Sequence, residues 1–139
     1  MTLAQTHLML ACFWLGLLAA ETVLELCGRE AASLRVVARA HRWIDMFFEI
    51  PVALAVLASG LVLLCRLWPA PSLMLIHAAV GTIPVAVNLV CTAWIHARAS
   101  ESADDSRVAE LTRRVKLTGL AIPLVVLALV IGISFMPAL

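Results

Sequence analysis

Charge is what this chain has least of. Of 139 residues only 14% are Asp, Glu, Lys or Arg, and the net charge is +1. Soluble domains carry about 25% charged residues. Disorder is excluded, since it needs low hydrophobicity and high charge. A nucleic-acid partner is excluded too, because so apolar a chain can spare no basic surface. The four cysteines, Cys12, Cys27, Cys65 and Cys91, show no CxxC spacing and read as reduced, buried thiols. No Glu is followed three residues later by His, so the familiar helix-bundle di-iron signature is missing. Neither terminus carries Lys or Arg, so the apolar start lacks the basic region of a signal peptide, and Glu21 follows the small residues Ala19 and Ala20; cleavage there is not expected. No internal repeat stands out beyond the weak likeness of any two hairpins.

Apolar residues fill the rest. They make up 63% of the chain, with a mean hydropathy of +1.04. A spanning helix needs ~20 such residues. Four segments qualify: 3–27, 43–64, 73–97 and 117–137. Helix is the only way for such segments to satisfy their backbones in lipid. The expected fold is therefore all-α: a single integral membrane domain forming a four-helix transmembrane bundle. Nine of the ten basic residues fall in segments 28–42 and 98–116, leaving only Arg66 between the second and third spans. Both segments are then cytoplasmic loops of an inner- (plasma-) membrane protein, and both termini lie outside (N-out/C-out). Trp43 and Trp68 fit interfacial belt positions. Lipid is the expected partner, with a second copy or a membrane complex left open.

Ionisable residues at membrane depth are costly and mark function. Steps of three and four place His7, Ala11, Trp14, Leu18, Glu21 and Glu25 on one face of the first helix. His41, Asp45 and Glu49 share a face of the second, and His77, Gly81, Pro84, Asn88, Thr92 and His96 a face of the third. On the fourth, the matching stripe is Lys116, Gly119 or Leu120, Pro123 and Val126. All four stripes are expected to face a common axis.

The cytoplasmic half then gathers four carboxylates and histidines from three helices. Oxygen and imidazole donors suit iron, manganese or zinc. In a metal site Glu21, Asp45, Glu49 and His96 would bind the ion directly, with Glu25 and His41 behind them and Asn88, Thr92 and Lys116 in support. Two other readings stand beside it: a proton or ion pathway, as in a small transporter, and a network in which Arg39, Arg42, Arg98, Arg113 or Lys116 neutralises the acids in a non-catalytic subunit. On the outer side His7 and His77 are candidates for axial ligation of a b-type haem, with Ala11, Ala78 and Gly81 as small neighbours, and His41 with His96 for a second haem. Met9, Cys12 and Met74 near the same end would suit copper(I). Pro51, Pro84 and Pro123 fall inside spans and are expected to kink them.

The segments THLMLACFWLG, EIPVALAVLASGLVLL, LMLIHAAVG and WIHAR resemble the small four-helix bacterial membrane proteins that include HemJ-type protoporphyrinogen oxidases and the membrane domain of CopD-type copper-resistance proteins. The resemblance covers most of the chain. It implies a four-helix fold, and in the HemJ-like group a haem and an oxidoreductase activity, with His7 at the position of the helix-one ligand. That group carries Lys two residues after the histidine of the third helix; this chain has Ala79 there.

Overall fold

The computed structural model describes residues 1–27, 31–100 and 104–135, all helix apart from short connections. Among these residues six α-helices are formed: α1 (Leu3–Cys27), α2 (Ala31–Ile44), α3 (Ile50–Arg66), α4 (Ser72–Arg98), α5 (Asp105–Thr118) and α6 (Ile122–Phe135). A π-helical turn, Asp45–Glu49, joins α2 to α3, and a 3₁₀ turn, Gly119–Ala121, joins α5 to α6. The chain therefore runs as four long rods: Leu3–Cys27, Ser33–Arg66, Ser72–Arg98 and Asp105–Phe135. Among the described residues, these four are long and apolar enough to cross a membrane.

α1 packs on α3 and α6, and α4 packs on α5 and α6. The core between them is small: Trp14, Ala53, Val85 and Val125. Most large apolar side chains point outward instead, among them Phe13, Leu61, Ile83, Val130 and Ile133.

The rods are longer than the apolar spans, because α2 and α5 extend the second and fourth rods through the basic segments. Both are amphipathic. α2 buries Leu34, Val37, Ala38 and His41, while Arg39 and Arg42 stay exposed. Asp104 caps α5, its side chain accepting from the Arg107 backbone N–H at 2.7 Å. That bond holds the exposed Asp104 carboxyl below the usual carboxylate range. Arg35 reaches Asp105 at 3.0 Å, so the starts of α2 and α5 meet at the same end.

Pro51 accounts for the π turn. It has no N–H, and in an unbroken α-helix its ring would clash with the Phe47 carbonyl. The chain widens instead, and the Ile50 N–H bonds back five residues to the Asp45 carbonyl. Wide turns of this kind recur at functional sites.

The expectation of no repeat is corrected by the fold. Each half is an apolar helix followed by an amphipathic helix that passes through one irregular turn into a Pro-led span. Ile50-Pro51 with Gly60 recurs as Ile122-Pro123 with Gly132, 72 residues on. Buried Ala4, Trp14, Glu21 and Glu25 match buried Met74, Pro84, Cys91 and Ile95 at 70 residues. Leu34, Val37, Ala38 and His41 match Val108, Leu111, Thr112 and Val115 at 74. The change from 74 to 72 means that the first half carries two more residues in its irregular turn. A π turn holds more residues than an α turn and a 3₁₀ turn fewer, so the two turn types absorb the difference.

The fourth rod's stripe is also corrected. Lys116, Leu120, Pro123 and Val126 are exposed, and Val115, Val125 and Ala128 are buried instead. α6 is apolar on every side and offers no period to read, and the 3₁₀ turn shifts the phase. Of the cysteines, which are all free, Cys91 is buried, whereas Cys12, Cys27 and Cys65 are exposed, on apolar faces where a thiol serves as well as a methyl group.

Candidate metal centre

Three elements converge at the deep end of the α1–α2 hairpin. α1 supplies Glu21, α2 supplies His41, and the π turn supplies Asp45 and Glu49. A step of four along an α-helix overshoots a full turn by about 40°. Two such steps would carry Glu49 away from His41; the wider π turn takes the rotation back. Each of the four offers one ligand atom, and these atoms all lie within 4.8 Å of one another. All four residues are buried, Asp45 and Glu49 completely.

The cluster is acid-rich and under-satisfied. Both Asp45 oxygens, Glu21 Oε1 and Glu49 Oε2 are buried and take no hydrogen bond from any described residue. His41 Nε2 faces Glu21 Oε2 at 3.2 Å and Asp45 Oδ1 at 3.8 Å. Glu49 Oε1 accepts a hydrogen bond from Trp14 Nε1 at 3.3 Å. Buried polar atoms are normally paired, so four orphaned carboxylate oxygens in one place require an explanation.

Behind the cluster runs a chain of paired groups, in which only Arg98 Nε lacks a partner among the described residues. His41 Nδ1 lies 2.8 Å from Glu25 Oε1, an N–H to carboxylate contact that leaves Nε2 aimed at the acids. Glu25 is gripped by both terminal nitrogens of Arg98, Nη1 at 2.8 Å from Oε2 and Nη2 on Oε1. Arg98 is wholly buried and also donates to Thr112 Oγ1 at 3.2 Å, whose own hydroxyl donates to the Val108 carbonyl. Arg98 thus balances Glu25 one layer out, while at the cluster His41 alone faces three carboxylates.

The two histidines do not fall as expected, and His96 Nε2 is buried without a hydrogen-bond partner among the described residues. His41 belongs to the group of four, and His96 does not. Helical spacing gives the face and depth of a side chain but not which helix it meets, and α2 swings His41 inward against α1. Of the supporting residues, Asn88 and Thr92 are buried on α4, while Lys116 is exposed at the rim of a cavity of about 190 Å³ also lined by Glu21, His41, Asn88 and Cys91. Sequence reasoning missed Trp14 as a partner of Glu49; its position on the Glu21 face was the available signal.

A second cavity, of about 170 Å³, lies toward the other end and is lined by His7 and His77 among aliphatic side chains. The two rings meet edge to face, 6.2 Å between centres. This space is below the roughly 300–1,000 Å³ of pockets for drug-sized molecules. Met9 and Cys12 point outward; Met74 is buried and lines the cavity.

Comparisons with protein-family models, with curated proteins and with solved structures found no match.

Proposed function

We propose that this chain is a four-helix integral protein of the cytoplasmic membrane, with both termini outside, and that Glu21, His41, Asp45 and Glu49 hold one divalent transition-metal ion. The observation that carries the metal is the set of four orphaned carboxylate oxygens inside a group of ligand atoms no more than 4.8 Å apart. Three buried carboxylates without a cation are costly; a dication offsets most of that charge. Donors of this type suit iron, manganese or zinc. With iron or manganese the site supplies one-electron chemistry, and the neighbouring cavity has room for a small co-ligand. The reading is thus a membrane metalloprotein, with oxidoreductase chemistry when the metal is redox-active. The membrane part rests on the four apolar rods, their apolar exterior and the gathering of basic residues at one end.

The test is metal analysis of detergent-purified protein. About one equivalent of metal is expected in the wild type, or on titration with Fe(II), Mn(II) or Zn(II), and none in Glu49→Gln or Asp45→Asn. Wild-type protein that takes up none of the three overturns the metal.

One observation favours a second reading. Buried ionisable groups run without a break from Glu49 through Asp45, His41 and Glu25 to Arg98. Such a chain is also the composition of a proton relay. Proton uptake by metal-free vesicles, lost in His41→Gln, would favour it.

A further inference from the structure

The repeat gives every residue of the carboxylate cluster a counterpart, and none of the counterparts is acidic. α2 matches α5 at 74 residues at both of its ends, and α1 matches α4 at 70. Glu21 therefore corresponds to Cys91, and His41 to Val115. Asp45 opens the π turn and Glu49 closes it, as Gly119 opens the 3₁₀ turn and Ala121 closes it. The second half thus puts Cys91, Val115, Gly119 and Ala121 where the first puts its four ligands. Each is smaller than its counterpart. All four line the cavity of about 190 Å³, and so do Glu21 and His41. The second half's version of the metal site is therefore a chamber that adjoins the first half's.

The chamber's polar groups are mostly spent. Thr118 gives its hydroxyl hydrogen to Cys91 Sγ and the Val115 carbonyl, at 3.1 and 2.6 Å. Both Glu25 oxygens accept from Arg98. The Asn88 amide is left over. Asn88 lines the chamber, is 7% exposed, and its Nδ2 has no partner among the described residues. A buried donor without an acceptor is costly, so the occupant brings an acceptor. Leu18, Ile122 and Val125 line the same space and suit an aliphatic remainder. Charge narrows the choice. Three carboxylates, a neutral His41 and a dication leave one negative charge. Lys116 at the rim supplies one positive charge. The sum is already zero, so the occupant is uncharged.

We propose that this chamber binds a small uncharged aliphatic carbonyl compound, its oxygen shared between the Asn88 amide and the metal ion at the carboxylate cluster. The inference rests on the metal reading above and adds the class of molecule the site takes. A carbonyl oxygen has two lone pairs, one for the N–H and one for the metal, and no hydrogen of its own to satisfy. A dication bound there would polarise the C=O bond.

The experiment is proton NMR of acetone with the detergent-purified full chain loaded with Mn(II). The Zn(II)-loaded protein is the diamagnetic reference, and metal content is measured on the same samples. Saturable relaxation enhancement of the acetone methyl protons is expected with Mn(II) alone. Gly119→Leu fills the chamber: a Cβ there meets nothing within 4 Å, and the backbone is right-handed helical, so the chain folds and keeps its metal. In it the enhancement disappears. Asn88→Leu removes the amide and weakens acetone binding about 2- to 12-fold. Acetate, similar in size but charged, gives no enhancement. Full metal loading without enhancement in the wild type, enhancement unchanged in both Gly119→Leu and Asn88→Leu, or acetate taken in preference to acetone each overturn the proposal and leave the metal standing. Wild-type protein that holds no metal overturns the metal reading, and this one with it.

Discussion

The Trp14 indole joins the histidine cavity to the carboxylate cluster: its ring lines the space beside His7 and His77, and its N–H reaches 3.3 Å to Glu49. One side chain, 2% exposed, thus touches an apolar cavity and an acidic cluster. Trp14→Phe keeps the ring and deletes the donor. Loss of a hydrogen bond to a charged group costs about 1.5–3 kcal/mol, read as a lower midpoint of thermal unfolding in detergent, together with weaker metal binding at the cluster. An unchanged midpoint and unchanged affinity would show that the contact carries nothing.

Arg98 and Glu25 form a buried ion pair, and its two ways of failing differ. Arg98→Met leaves the Glu25 charge uncompensated and destabilises by about 3–5 kcal/mol. The double variant Arg98→Met/Glu25→Leu removes both charges and recovers most of that loss. Unfolding midpoints of the two singles and the double close the cycle; additive losses would show that the two residues do not act as a pair. Glu25→Gln, which keeps the hydrogen-bond acceptor for His41 Nδ1 but drops the charge, weakens metal binding at the cluster about 10- to 100-fold.

Metal uptake at the cluster falls as pH is lowered. Three carboxylates and an imidazole must all be deprotonated to bind, so binding releases protons and acid reverses it. Titrations at pH 7.5 and 5.5 check the sign: affinity is higher at the higher pH.

The π turn is a testable part of the geometry. Pro51→Ala restores the missing N–H and removes the ring that would clash with the Phe47 carbonyl, so the segment is free to close as an α-helix. Helix content by circular dichroism stays close to wild type, because α2 and α3 keep their buried faces. Asp45 and Glu49 lose their mutual setting, and metal uptake at the cluster disappears. Retained uptake would mean that the wide turn is incidental.

Apolar run length places α1, since no proline or basic Lys or Arg breaks Leu3–Cys27, and α4 to within a residue at each end. It falls short at α2 and α5, which are amphipathic and too polar to read as spans, yet continue the rods. The acidic half of the site was legible because carboxylates at depth are rare. The choice of His41 over His96 was not, because it depends on which helices touch. The repeat stayed hidden because its spacing drifts from 70 to 74 to 72, so no single offset aligns the halves. Only the shared Ile-Pro and the distant Gly keep step.

That repeat has a consequence for direction. Each half crosses twice, so the second begins on the side where the first began, and the axis relating them stands along the membrane normal in the reading proposed above. Arg39 and Arg42 of α2 have counterparts in Arg113 and Lys116 of α5, 74 residues later. The signal that fixes orientation is therefore written twice. Neutralising one copy leaves the other to hold the chain the same way up, and inversion requires both to be erased.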